Sequence, residues 1–286
     1  MQHGARGAAS VANQARVGSV GVVLGSNGAL VVNAGTSAAH AREIAAFVVT
    51  KTSMPIRAVV LTQPWPEFIM GAEAFARQGV PVYAHPRAAE LIVARCETCR
   101  RNLHALLGAQ AMEGTNVINI PAAQFVAKEK AFDAIGEELF FLPLEGAITD
   151  GDLAVWLPQQ RVLFAGALVQ HARVPDLREA GTETLIDTLR LVGSLAANHI
   201  VTGYSAPREH ADSADILYFE QFADVLYYVQ WLREQVKLAF DAGVELSEIK
   251  IPLGGTPFAT WDRAEHHLAN VQRVYLEIEQ NAFKKP

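Results

Sequence analysis

The feature that most constrains this fold is a change of rhythm along the chain. Strands and helices alternate first, short strands then crowd together, and helices return at the end. Ser19 to Leu24 and Ala29 to Asn33 are β-rich runs separated by Gly25-Ser26-Asn27-Gly28, and an Asn-Gly pair between apolar runs marks a hairpin. A helix is predicted over Ser37 to Thr50, with Ile44, Phe47 and Val48 on one face. Ile56 to Leu61 reads as a buried strand ending in the Pro-rich loop Thr62 to Pro66. Helix Glu67 to Gln78, strand Val80 to Ala84 and helix Arg87 to Leu107 follow. Beyond Phe125, strands are predicted at Glu138 to Leu144, Leu153 to Leu157, Val162 to Phe164 and Ile200 to Thr202, with a helix at Thr182 to Ala197 before the last. Such an order predicts an α/β sandwich with two sheets inside and helices outside. Leu226, Val229, Leu232 and Val236, then Leu268, Val271, Tyr275 and Ile278, recur at helical spacing and add a helical C-terminal segment.

The chain has 286 residues, half of them hydrophobic and 19% charged, enough apolar material for one large core. Residues 1–17 are expected to be a flexible segment. Residues 18–286 are expected to form a single domain, of which 213–286 is the helical extension. A net charge of -6 without a Lys/Arg run argues against nucleic acid as a partner. No apolar stretch approaches the roughly 18 residues of a membrane span. The first residues lack the apolar block of a secretory signal, so a cytoplasmic location is expected, or a periplasmic one where an export signal has been removed. Cys96 and Cys99 sit three apart inside a predicted helix, with His104 beyond. They are too few for a zinc site and misplaced for a redox pair, which normally opens a helix, so they are expected to be ordinary helix residues.

Four loops at the C-terminal ends of strands are the natural place for a site. They are Thr62 to Phe68, Glu145 to Asp152, Phe164 to Val169 and Val201 to Ser205. Their order, with Tyr83-Ala84-His85-Pro86-Arg87-Ala88, Thr149-Asp150-Gly151-Asp152, Val162-Leu163-Phe164-Ala165-Gly166 and His267 to Tyr275, resembles the metallo-β-lactamase superfamily. The likeness is greatest to its branch of zinc metallohydrolases associated with quinoproteins and sulfur oxidation. It implies a four-layer αβ/βα sandwich. The family carries Thr-His-x-His-x-Asp-His, and this chain has Thr62, Gln63, Trp65, Glu67 and Phe68 there. The family's histidine before Thr-x-Gly-Asp corresponds to Ile148, its bridging aspartate to Ala167 and its last histidine to Tyr204.

All seven positions that the resemblance assigns to metal ligands therefore carry other residues. Zinc is held by imidazole, thiolate or carboxylate, and of the seven only Glu67 is a strong donor. Neither metal nor other cofactor is expected. The bulky residues Trp65, Phe68, Ile148 and Tyr204 are expected to fill much of the space, leaving a vestigial cleft. His171 and Arg173, in the loop after the third of the close strands, are candidates to line it for an acidic small molecule. The expectation is a non-catalytic protein with a binding, regulatory or assembly role. The alternative is a hydrolase that works without metal through Glu67, near Tyr204 and His171, or with a metal site built elsewhere. The aromatic stretch Tyr218, Phe219, Phe222, Tyr227, Tyr228 and Trp231 suggests a homodimer through the C-terminal helices.

Overall fold

The computed structural model describes residues 4–144, 146–204, 216–217 and 219–284. Glu145, Ser205 and Tyr218, named above, lie outside the described residues. The predicted hairpin is present: β1 (Gly21–Leu24) pairs antiparallel with β2 (Ala29–Val32), Leu24 opposite Ala29. Strands β3 (Ile56–Val60) and β4 (Val82–Tyr83) add in parallel, giving a sheet of order β1-β2-β3-β4. The second sheet has the order β10-β9-β8-β7-β6-β5. Its strands are β5 (Lys130–Phe132), β6 (Leu139–Pro143), β7 (Leu153–Leu157), β8 (Val162–Gln170), β9 (His199–Tyr204) and β10 (Ile216–Leu217).

Strand periodicity explains the layering. Successive side chains point to opposite faces, and in these strands both faces are apolar. Leu30, Val32, Ala58 and Val60 from one sheet meet Leu139, Phe141, Leu153 and Val155 from the other in a core between the sheets. The alternate residues Val31, Val59, Ala154, Leu163 and Ile200 belong instead to the core shared with the helices. That core receives Ile44 and Val48 of α1 (Ala38–Lys51), Ile92 of α4 (Pro86–Leu107), Leu185 and Leu189 of α5 (Thr182–Ser194), and Val229 and Leu232 of α6 (Phe219–Asp241). The result is the expected sandwich with helices outside. A last helix, α7 (His266–Lys284), packs on α6, and residues between the two are not helical.

Two expectations need correction. The helix foreseen over Glu67 to Gln78 is two short ones, α2 (Pro66–Ile69) and α3 (Ala72–Ala76). The break falls at Gly71, whose N–H donates to the Gly35 carbonyl at 3.0 Å. A Cβ there would lie 2.0 Å from the Ala34 oxygen, so only glycine lets the two loops approach. The strand foreseen over Val162 to Phe164 runs on to Gln170, with shifts in its pairing to β9 around Gly166. Residues 4–17 lie against the domain: Ala15 and Val17 are buried, and the Gly7 N–H donates to Asp262 Oδ2 at 3.0 Å.

Candidate functional site

The site grows from the loop after β3 and its anchor in the loop after β2. Asn33 takes up a left-handed φ of 65°, which asparagine tolerates better than most residues. Its Oδ1 accepts the Thr62 N–H at 3.0 Å and the Thr62 hydroxyl at 2.9 Å, tying the two loops together. Gln63 follows, fully buried, and its Oε1 accepts the Ala167 N–H at 3.1 Å. That bond crosses to β8 and fixes the orientation of the amide. Gly166 makes the crossing possible. Its φ is +54°, and a Cβ would lie 2.5 Å from Gln63 Oε1 and 2.8 Å from Thr62 Cβ.

Asp152 organises the next loop. Its carboxylate accepts the Ile148 N–H at 2.7 Å, the Thr149 N–H at 3.0 Å and the Thr149 hydroxyl at 2.6 Å. Complete burial pushes the group up to about 7 despite these donors. The Gln63 amide also favours the carboxylate, although Gln63 Nε2 makes no hydrogen bond of ordinary geometry to any described residue. Ile148, held by this turn, is fully buried, as is Ala167.

Above these residues stands an aromatic group. Phe68 lies 5.3 Å from Tyr204, and Trp65 lies 6.0 Å from Tyr204 and 6.4 Å from Phe68, ring centre to ring centre. The Tyr204 hydroxyl donates to Glu67 Oε1. Burial, and then the Glu67 charge, raise the phenol well above its usual range, so it is a proton donor and not a nucleophile. The Arg173 guanidinium sits 4.4 Å from the Tyr204 ring centre and pairs with Asp262 at 3.0 Å.

Of the sequence candidates, Trp65, Glu67, Tyr204 and Arg173 line one cavity of about 240 Å³. Gln63, Phe68, Ile148 and Ala167 are each 0% exposed and do not line it, although Phe68 packs on Tyr204. His171 is not brought to it: its Nδ1 meets Asp224 Oδ2 at 2.8 Å. Pro66, between Trp65 and Glu67, also lines the cavity, and the rest of the lining, Gln170, Asp176, Arg178, Arg263 and His266, was missed by sequence reasoning. Asp176 and Arg178 share the loop of Arg173 and could have been suspected from that. Arg263 had no local signal, because it arrives from between α6 and α7. Its Nη2 donates to His266 Nε2 at 2.6 Å while His266 Nδ1 donates to the Val174 carbonyl at 3.2 Å. The imidazole is thereby held neutral, in keeping with a lowered pKa caused by burial and then by Arg263. His85, after β4, caps α4 by accepting the Arg87 N–H at 3.2 Å and is not in the lining.

The donor set can be tested against zinc directly. A zinc ion takes about four imidazole, thiolate or carboxylate ligands. At the seven positions the strong donor is Glu67, already hydrogen-bonded, beside indole, phenyl and alkyl groups. The nearby Asp152, Asp176 and His266 are taken by the 148–149 turn, by Arg178, and by Arg263 with the Val174 carbonyl. Among the described residues no group of three or more His, Cys, Asp or Glu is placed to hold a metal ion. These residues do not fit a dinuclear zinc centre.

Comparison with known proteins agrees with the architecture. The model of the metallo-beta-lactamase superfamily matches residues 14–204. A metallo-beta-lactamase from Pontibacter korlensis superposes with a TM-score of 0.57 at 19% identity, over 74% of this chain and 93% of that one. A metallo-beta-lactamase from Erythrobacter litoralis gives 0.54 at 18%, over 75% and 85%. FIM-1 from Pseudomonas aeruginosa, in its mono-zinc form, gives 0.53 at 15%, over 73% and 82%. No curated protein matches the sequence. At these identities the structures share the fold alone, while the family match spans most of the chain: this protein belongs to the metallo-β-lactamase superfamily.

Proposed function

We propose that this protein is a non-catalytic member of its superfamily, which has lost the dinuclear zinc site and uses the remaining cavity to bind a small acidic molecule in a regulatory or assembly role. The observation that carries the reading is the donor set. Without a metal ion nothing lowers the pKa of a water to near 7, and the aromatic trio of Trp65, Phe68 and Tyr204 stands where the resemblance places metal ligands. The cavity supplies the ligand class. Arg173, Arg178 and Arg263 face it against Glu67 and Asp176, and Gln170 adds a polar group. Guanidinium groups suit carboxylate and phosphate oxygens.

The test is a titration of small dicarboxylates and phosphate monoesters, followed by tryptophan fluorescence because Trp65 is in the lining. A saturable change that is lost in Arg263→Met supports the reading. No binding, together with zinc-dependent hydrolysis of an ester, lactam or thioester, overturns it. A second reading, a hydrolase that works without metal, is favoured by the Tyr204 to Glu67 hydrogen bond at the cavity wall. Activity that survives a chelator and disappears in Glu67→Gln would establish it. For self-association, Tyr227 and Leu238 of α6, and Leu268 and Phe283 of α7, are the exposed apolar residues that we assign to contact with a second copy.

A further inference from the structure

The charges around the cavity are not equally satisfied. Each of its three guanidinium groups has a carboxylate of its own: Arg173 Nη1 donates to Asp262 Oδ2 at 3.0 Å, Arg178 Nε donates to the two oxygens of Asp176 at 2.9 and 3.1 Å, and Arg263 Nε donates to Glu265 Oε1. Glu67 has no such partner. It forms no ion pair with a described residue, and its bond within the site is the one that the neutral Tyr204 hydroxyl donates to Oε1, which leaves Oε2 open. Arg173, Arg178 and Arg263 thus stand against Glu67, Asp176, Asp262 and Glu265, and the uncompensated charge is negative, at Glu67.

The neutral groups point the same way. Gln170 is 1% exposed and lines the cavity, and its Nε2 is committed to the Ala167 carbonyl at 2.9 Å. Its Oε1 accepts no hydrogen bond from a described residue, so a buried acceptor at the cavity wall is left for a ligand to satisfy. Spare donors lie in the same wall. The Arg173 side chain is 8% exposed, and its Nε and Nη2 donate to no described residue. Arg263 Nη1 is likewise uncommitted, since Nη2 serves His266 and Nε serves Glu265.

We propose that the cavity takes a free α-amino acid, with its carboxylate on the spare N–H groups of Arg173 and Arg263 and its ammonium on Glu67 Oε2 and Gln170 Oε1. The inference rests on the reading that this cavity binds a small acidic molecule, and it narrows that class. A dicarboxylate or a phosphate monoester brings further negative charge beside Glu67, which is repelled, and has no donor for Gln170. A simple amine leaves the guanidinium donors unmet. A zwitterion answers both sets at once. The Trp65 indole, in the lining two residues before Glu67, adds attraction for an ammonium group. A volume of about 240 Å³ suits a single amino acid and lies below the roughly 300–1,000 Å³ of sites for larger ligands, so a peptide does not fit.

Isothermal titration calorimetry of the full chain tests this with the common L-amino acids, with succinate and glycerol phosphate, and, for the amino acid that binds most tightly, with the same skeleton lacking its amine or lacking its carboxylate. One site per chain is expected. Removal of either group should weaken binding about tenfold or more, because each makes hydrogen bonds to a charged partner. In Glu67→Gln, which keeps an oxygen for the Tyr204 hydroxyl, the advantage of the amino acid over its deaminated counterpart should vanish, while Arg263→Met should weaken both. Should a variant fail to fold, the wild-type comparison decides alone. A deaminated acid that binds as tightly as the amino acid, or binding of succinate or glycerol phosphate without any amino acid, overturns the inference and leaves the acidic-ligand reading standing. Absence of binding by every probe overturns both.

Discussion

Replacing Asp152 by Asn should remove a pH dependence that the buried carboxylate imposes on stability. Asp152 is completely buried, and burial raises it from the ordinary aspartate value of 3.8 to about 7. Its partners are the Ile148 and Thr149 N–H groups and the Thr149 hydroxyl. With the folded value above the unfolded one, the native protein holds a proton between about pH 4 and pH 7 that the unfolded chain has released. Stability must then fall as pH rises through that window. At 1.36 kcal/mol per pKa unit, a shift of about three units corresponds to roughly 4 kcal/mol lost between pH 4 and pH 8. Asn keeps the geometry: its oxygen can accept both backbone N–H groups and its amide can donate to the Thr149 hydroxyl. Urea unfolding of both proteins, followed by tryptophan fluorescence from pH 4 to pH 8, isolates the effect, because all other titrations are common to the pair. The stability difference between the variant and wild type should rise in the variant's favour by about 4 kcal/mol across the window. Parallel profiles for the two proteins would refute the reasoning.

Three further outcomes follow from the geometry. Gly166→Ala meets both a left-handed φ and a Cβ position 2.5 Å from Gln63; it should cost more than about 1 kcal/mol by urea unfolding. Tyr204→Phe keeps the ring packing but strips Glu67 of its donor; a loss of about 1 kcal/mol is expected, with Trp65 fluorescence shifted. Light scattering should give the mass of a dimer for wild type and of a monomer for the double variant Leu268→Glu, Phe283→Glu, whose parents are 63% and 83% exposed.

The fold was legible because its determinants are local. The Asn-Gly hairpin, the apolar strands and the periodic helices each announce themselves over a few residues, and the structure has the hairpin, the strands and every expected helix but the one over Glu67 to Gln78. What escaped depends on approaches between distant segments. The break at Gly71 comes from the contact with Ala34 and Gly35, and the extension of β8 comes from pairing with β9. The site was legible in the same measure. Trp65, Glu67, Tyr204 and Arg173 could be placed on strand-end loops, and they share a cavity. Arg263 and His266 reach it from the C-terminal region, some ninety residues beyond Arg173 in the loop after β8, by a path no local pattern reveals. His171 illustrates the converse, since its neighbour in sequence faces the cavity while His171 itself is taken by Asp224.

The central claim is that the loops around Gln63, Ile148 and Tyr204 lack the donors for zinc. It is tested most directly by elemental analysis of protein produced in zinc-supplemented medium, incubated with excess zinc and then desalted. The account predicts far less than one tightly held ion per chain. One or two equivalents retained, and lost on substitution of Glu67, would contradict it.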